Sequence, residues 1–198
     1  MSEETEKTVQ KAEKLPFRAE AFDWLQSIIC AFVAGIFIFI FIARVVRVDG
    51  SSMYSTLHNN DLVITSKLFY TPQTGDIVVF RTDLYDDEPL VKRIIAKAGQ
   101  TVDIDFTAGI VYVDGVALDE PYTNTLTNVR ENFDGEVTVP EGCLFVMGDN
   151  RNASRDSRSY SVGFVDERQI VGKVLFVLIP GSNEGAKADW SRFGSVYG

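Results

Sequence analysis

Residues 25–43, LQSIICAFVAGIFIFIFIA, carry no charge, and about 20 apolar residues are what a helix needs to cross the hydrocarbon layer of a bilayer. Trp24, just before the run, suits an anchor at the membrane interface. A buried core helix would show a polar face, and none interrupts this run. A cleaved leader would want small residues one and three places before the cut, but Phe41 sits two places before Ala43 and Arg44 follows it. The expectation is a single transmembrane helix at 25–43. It would divide the chain into a short cytoplasmic tail (1–24), the span, a folded domain on the outer face (44–181) and a loose C-terminal tail (182–198). Lys7, Lys11, Lys14 and Arg18 precede the run and only Arg44 and Arg47 follow it closely, which favours a cytoplasmic N-terminus. Residues 1–14, rich in Glu and Lys, have too few apolar groups to bury a core and read as disordered.

A chain of 198 residues has room beyond such an anchor for one domain with its own core. That portion consists of short β-prone runs: 62–65, 77–80, 91–96, 110–113, 116–118, 143–147 and 171–179, each rich in branched or aromatic residues. Gly75-Asp76, Asp114-Gly115, Asp134-Gly135 and Gly148-Asp149 punctuate them. Asp114-Gly115, between two apolar runs, is the best hairpin signal, since both central positions of a type I′ turn need positive φ. No long amphipathic helix follows residue 48. The fold class expected is mainly β: an N-terminal transmembrane helix, then an all-β domain of irregular antiparallel sheets without internal repeats.

Composition narrows the chemistry. A net charge of −9 without a Lys/Arg stripe excludes a grip on nucleic-acid phosphates. Cys30 and Cys143 make no disulfide framework. With His58 the only histidine, no cluster has metal-ligand spacing, so neither metal nor cofactor is expected. Lys92 stands out instead, flanked by aliphatic residues in Leu90-Val91-Lys92-Arg93-Ile94-Ile95. Burial there disfavours the ammonium, lowers the pKa and leaves a neutral amine able to act as a general base. Such a base needs a nucleophile, and the exposed-looking Gly50-Ser51-Ser52-Met53 offers serine.

Three stretches make that pairing specific. Gly50-Ser51-Ser52-Met53-Tyr54-Ser55-Thr56-Leu57 resembles the nucleophile box G-x-S-M-x-P-T-L of type I signal peptidases, with Ser55 where proline is usual. The run from Leu90 to Gly99 resembles that family's lysine box, with Ala96 and Gln100 where glycine and an acidic residue are common. Gly148-Asp149-Asn150-Arg151-Asn152-Ala153-Ser154-Arg155-Asp156-Ser157-Arg158 fits G-D-N-R-x-x-S-x-D-S-R throughout. Gly75-Asp76-Ile77-Val78 matches the remaining G-D-[IV]-V box, and order and separation agree from the apolar helix to about Pro180. After the third box, the glycine that usually follows its last arginine by two places appears only at Gly163, which hints at a longer turn.

The resemblance implies a membrane-bound serine endopeptidase of the single-helix, Gram-positive-like form, in the plasma membrane with its catalytic domain outside. It would remove signal peptides from exported preproteins. Ser52 would be the nucleophile and Lys92 the general base, with Ser154 hydrogen-bonding and orienting the lysine amine. Arg93, Asp149, Asp156 and Arg158 resemble the ion pairs that hold the third box against the lysine strand. Gly50 occupies the place where some members carry an oxyanion-hole serine, which leaves the Ser52 backbone N–H as the main donor; whether the Ser51 hydroxyl helps stays open. At about 3.3 Å per extended residue, Ser52 lies within roughly 30 Å of the membrane exit, beside an embedded substrate. Met53, Leu57, Leu90 and Val91 flank the pair as candidates for shallow pockets taking small side chains at −1 and −3, with plain core packing the alternative for each. The substrate would bind as an added strand. The other readings are a Ser-His-Asp triad through His58 and Asp61, a LexA-like self-cleaving repressor on a related fold, and a membrane-tethered, non-enzymatic β-rich binding module.

Overall fold

The computed structural model describes residues 17–41, 43–82, 89–182 and 188–197, with side chains in the first stretch described at 21–37. The chain falls into two compact units, Met1–Ile40 and Phe41–Gly198. The first carries α1 (Phe17–Phe41), which begins well ahead of the expected start at residue 25. Every described side chain on α1 is exposed, Phe22, Trp24, Ile28 and Phe32 among them. Among the described residues no helix is long and apolar enough to cross a membrane; the expected span runs on through side chains 38–42, which lie outside them, as does the tail at 1–14.

The second unit is mainly β. Its strands are β1 (Arg44–Arg47), β2 (Leu62–Ser66), β3 (Ile77–Phe80), β4 (Leu90–Lys97), β5 (Thr101–Asp105), β6 (Ile110–Val113), β7 (Val116–Ala117), β8 (Val137–Thr138), β9 (Cys143–Met147), β10 (Val165–Asp166), β11 (Ile170–Ile179) and β12 (Gly194–Ser195). The larger antiparallel sheet runs β1-β2-β11-β3-β4-β9-β10, with β12 on β11, and the smaller runs β7-β6-β5-β8. All seven strands read from the sequence are present. Asp114 and Gly115 have φ of 51° and 74° and join Val113 to Val116, as a type I′ hairpin requires. The strands not anticipated are short or polar: β1 reads RVVR and β5 reads TVDID. In β5 the period-2 rule still holds, with Val102 and Ile104 buried and Asp103 and Asp105 exposed.

The core places β4 at the centre of the unit. Successive side chains of a strand point to opposite faces, and β4 is buried on both. Val91 packs with Val48, Met53, Leu57, Val63 and Ile77, whereas Ile94 packs with Val78, Phe80 and Leu144. A register shift between Ile94 and Ala96 breaks the alternation, so Ile95 and Ala96 both join the cluster under the smaller sheet. Lys92 thus sits mid-strand opposite Val78, deep in an aliphatic layer.

The described part of the C-terminal tail is tied down, which corrects the expectation of a loose end. Ser195 and Gly194 pair with Phe176 and Val177, the Ile77 N–H donates to the Tyr197 hydroxyl at 2.8 Å, and Arg192 lies 2.6 Å from Asp61. A Gly/Ser-rich composition hid these three anchors.

Candidate active site

The segment between β1 and β2 carries Ser52, and its shape follows from local bonds. Val48 N–H donates to Asp61 O and Asn60 N–H to Val48 O, both at 2.8 Å, closing the base of the loop. Gly50, at φ +82°, adopts a backbone that side chains oppose, and its N–H donates to Asn59 Oδ1 at 2.9 Å. Beyond Ser52 a tight turn, closed by Leu57 N–H to Met53 O at 2.9 Å, places Met53 and Leu57 in the core at 1% and 0% exposure. Ser52 is held over that anchor and stays partly exposed.

Lys92 reaches it from β4. Lys92 Nζ donates to Ser52 Oγ at 2.7 Å and to its neighbour's carbonyl, Val91 O, at 3.0 Å. At 3% exposure the amine is nearly cut off from water, and burial brings it down to about 8, although the Asp156 and Asp149 carboxylates pull the other way. No carboxylate is recorded within ion-pair distance of Lys92 among the described residues.

The third box wraps this pair. Asp149 receives Arg93 Nε at 2.8 Å and Nη2 at 2.7 Å, a bidentate bond from the lysine strand, and also the Thr56 hydroxyl at 2.6 Å. It therefore clamps β4 to the nucleophile loop. Asp156 and Arg158 pair with each other at 2.8 Å but not with β4, which corrects the expected role: Asp156 accepts the Gly148 N–H, while Arg158 donates to Val129 O and Arg151 O. A separation of two residues within one loop lets them meet, and it leaves them bracing the loop. The sequence reading missed the further brace, Arg151 on Glu120 and Thr127, with Tyr122 beneath the Arg93 guanidinium at 3.9 Å.

Ser154 does not make the bond to the Lys92 amine that was expected of it. It is buried at 5% exposure, and its Oγ has no hydrogen-bond partner among the described residues; the amine bonds Ser52 and Val91 instead. The Ser154 side chain and the Ser52 carbonyl crowd Gly148, where an added Cβ would collide with both. Only glycine fits beneath the nucleophile.

Beside Ser52 and Lys92 opens a cleft of about 240 Å³ lined by Asp49, Gly50, Ser51, Ser52, Leu90, Lys92, Ala153 and Arg155. Of the four candidate pocket residues only Leu90 faces it. Met53, Leu57 and Val91 are core residues of one cluster, the first two because of the turn that Leu57 N–H closes on Met53 O and Val91 because it lies on the face of β4 opposite Lys92. Asp49, Ala153 and Arg155 carried no signal by residue type and are recruited by loop geometry. His58 stacks on Tyr54 at 4.9 Å, and burial followed by the nearby Arg192 keeps its imidazole below the ordinary value. Asp61 accepts the backbone N–H of His58 rather than its ring, together with Arg192 and the Gly181 N–H. The carboxylate–imidazole bond of a Ser-His-Asp triad is not made. Among the described residues no group of three or more His, Cys, Asp and Glu stands close enough to hold a metal.

Comparison with known proteins gives a consistent result. A protein named Signal peptidase I S from Bacillus subtilis (strain 168) is 38% identical over 181 residues, 86% of this chain and 95% of that protein. Probable signal peptidase I-1 from Synechocystis is 37% identical over 175 residues, 83% of each. The crystal structure of a signal peptidase I from Enterococcus faecalis V583 is 33% identical, covering 52% of this chain and 97% of that one, with a TM-score of 0.44. Residues 21–179 match the family described as signal peptidase, peptidase S26. By the extent of that match and of those identities, the chain belongs to the signal peptidase family, peptidase S26.

Proposed function

We propose that this chain is a membrane-anchored serine endopeptidase that removes N-terminal signal peptides from exported preproteins, cutting after small residues of the Ala-x-Ala type. The observation that carries the reading is the Lys92 Nζ to Ser52 Oγ contact of 2.7 Å, made by an amine whose burial favours its neutral form. In that form the Nζ lone pair takes the hydroxyl proton as Ser52 Oγ bonds to the scissile carbonyl carbon. The carbonyl electron pair moves onto oxygen, facing the Ser52 N–H. Collapse breaks the C–N bond and the Lys92 ammonium returns its proton to the leaving amine. Water then attacks the acyl-enzyme with the same amine as base, releasing the signal peptide carboxylate and restoring Ser52.

Arg93 and Asp149, bonded across β4 and the loop, hold the nucleophile and base in register. The cleft offers the substrate chain small walls, Gly50, Ser51 and Ala153, against Leu90, which suits small side chains at −1. The anchor is the uncharged run 25–43: its described side chains, 25–37, are all exposed and, from Ile28 on, free of strongly polar groups, a surface that water penalises and lipid accepts. With four basic residues ahead of the run, the N-terminus belongs in the cytoplasm and residues 44–181 on the outer face of the plasma membrane. The contact between Ser52 and Lys92 speaks against a non-enzymatic binding module, which has no use for a buried amine set on a serine hydroxyl.

The test is direct. The detergent-solubilised full chain and its Ser52→Ala variant are each incubated with a secretory preprotein and the new N-terminus is sequenced. Cleavage after Ala-x-Ala by the first and none by the second is expected; an intact preprotein, or cleavage by both, refutes the assignment.

A further inference from the structure

Asn150 binds both carbonyls that flank the nucleophile's α-carbon on their N- and C-terminal sides. Its Nδ2 donates to Ser51 O at 3.1 Å, and its backbone N–H donates to Ser52 O at 3.0 Å. The Tyr54 N–H also donates to Ser51 O, at 3.1 Å, so both lone pairs of that oxygen are engaged. The Ser51–Ser52 peptide is not among the cis bonds. In a planar trans peptide the C=O and the next N–H point in opposite directions. Fixing Ser51 O on the Asn150 side therefore aims the Ser52 N–H the other way, and that N–H has no partner among the described residues.

The side chain has an obvious competing task that it does not perform. Asn150 is the N-cap of the short 3-10 turn Arg151–Ala153, where an Asn amide oxygen ordinarily accepts a backbone N–H, yet it makes no capping bond. Its amide is spent on the neighbouring loop instead. Gly148, two residues earlier, leaves room for the Ser52 carbonyl that any side chain would displace.

We infer that Asn150 is a positioning residue for the oxyanion: it orients the peptide plane that presents the Ser52 N–H to the developing negative charge, and it touches neither the substrate nor Lys92. This rests on the Ser52/Lys92 reading above. An ill-aimed donor weakens the transition state while leaving ground-state binding and the base unchanged.

The experiment uses the full chain in detergent with an Ala-x-Ala peptide substrate, and two variants. Asn150→Ala removes the amide; Asn150→Leu nearly keeps the volume and keeps the backbone bond to Ser52 O, loses the donor and adds no charge, so it serves even where the alanine variant folds poorly. For each, kcat and KM are measured, along with the apparent pKa of kcat/KM. The affinities of two ligands of matched sequence complete the set: a peptide aldehyde that adds to Ser52 Oγ and forms a tetrahedral oxyanion, and the product peptide that does not. The result expected is a fall in kcat of about 10- to 100-fold, KM and product affinity unchanged within about threefold, an aldehyde affinity that falls in parallel with kcat/KM, and an unmoved apparent pKa. Unchanged kcat, a loss shared equally by the product peptide, or a displaced pKa would overturn the proposal while wild-type cleavage, abolished by Ser52→Ala, leaves the dyad reading standing. An inert wild type would overturn both.

Discussion

The proton on Lys92 should govern both the rate of cleavage and the stability of the fold. Burial lowers its pKa from 10.5 to about 8, so the neutral fraction is about one half at pH 8, one tenth at pH 7 and one hundredth at pH 6. kcat/KM is therefore expected to fall roughly 50-fold from pH 8 to pH 6 and to level off above about pH 9. An ordinary lysine would give a tenfold rise per unit through that whole range with no plateau. The same proton appears in the folding equilibrium. Unfolding returns the lysine to its ordinary value, so between about pH 8 and 10.5 the unfolded chain binds the extra proton and stability rises with pH. Below that window the full cost is present, about 3 kcal/mol at 1.36 kcal/mol per unit. Lys92→Met keeps the volume and removes the cost, offset by about 1 kcal/mol for the Ser52 hydroxyl left without its partner. The variant should therefore be inactive yet more stable than wild type by about 2 kcal/mol at pH 7, with the advantage gone near pH 10.5. Urea titrations of the full chain in detergent, followed by near-UV circular dichroism at pH 7 and pH 10, measure it. A rate that keeps climbing tenfold per unit past pH 9, or a Lys92→Met protein less stable than wild type at pH 7, would refute the argument that Lys92 is neutral through burial.

Three further outcomes follow from the same contacts. Ser52→Ala, Lys92→Ala and Lys92→Arg should each abolish preprotein cleavage on a gel, and the double variant should be no worse than either single one, because nucleophile and base act as a unit and a guanidinium stays protonated. Arg93→Ala strips Asp149 of its bidentate partner and leaves a carboxylate at 0% exposure, which should cost about 3–5 kcal/mol in the urea titration and loosen the tie between β4 and the nucleophile loop. Gly148→Ala, forced against Ser154 and the Ser52 carbonyl, should lower kcat by about tenfold or more through displacement of the nucleophile while leaving the circular dichroism of the sheets unchanged; full activity would show the loop yields without cost.

Local pattern carried a large part of this protein. Short apolar runs bounded by Gly and Asp mark seven strands, because branched and aromatic side chains pack well on a pleated surface, and the central strands, buried on both faces, read as continuous apolar runs. Positive φ at Asp114 and Gly115 follows from residue type at the turn. The boxes around Ser52, Lys92 and Asp149 stood out through their resemblance, in order and separation, to those of type I signal peptidases. Sequence alone thus determined the β class of the domain, the family and the residues worth testing.

Tertiary structure decided what those residues touch. Met53, Leu57 and Val91 looked like pocket walls, but an apolar residue beside a nucleophile can face either the cleft or the core, and a tight turn and a strand face settled each inward. Asp156 pairs with Arg158 and braces its own loop, whereas Arg93 crosses from β4 to Asp149; four charges in a motif do not announce their partners. The tail that composition marked as loose is held by Arg192 and Tyr197. Asn150 was one letter in a matching box until the loops came together and set its amide against Ser51. Periodicity and turn chemistry act between neighbours in the chain and can be read along it, whereas the direction of a hydrogen bond, the face a side chain takes and the depth of a charge depend on groups that meet only after the sheets pack.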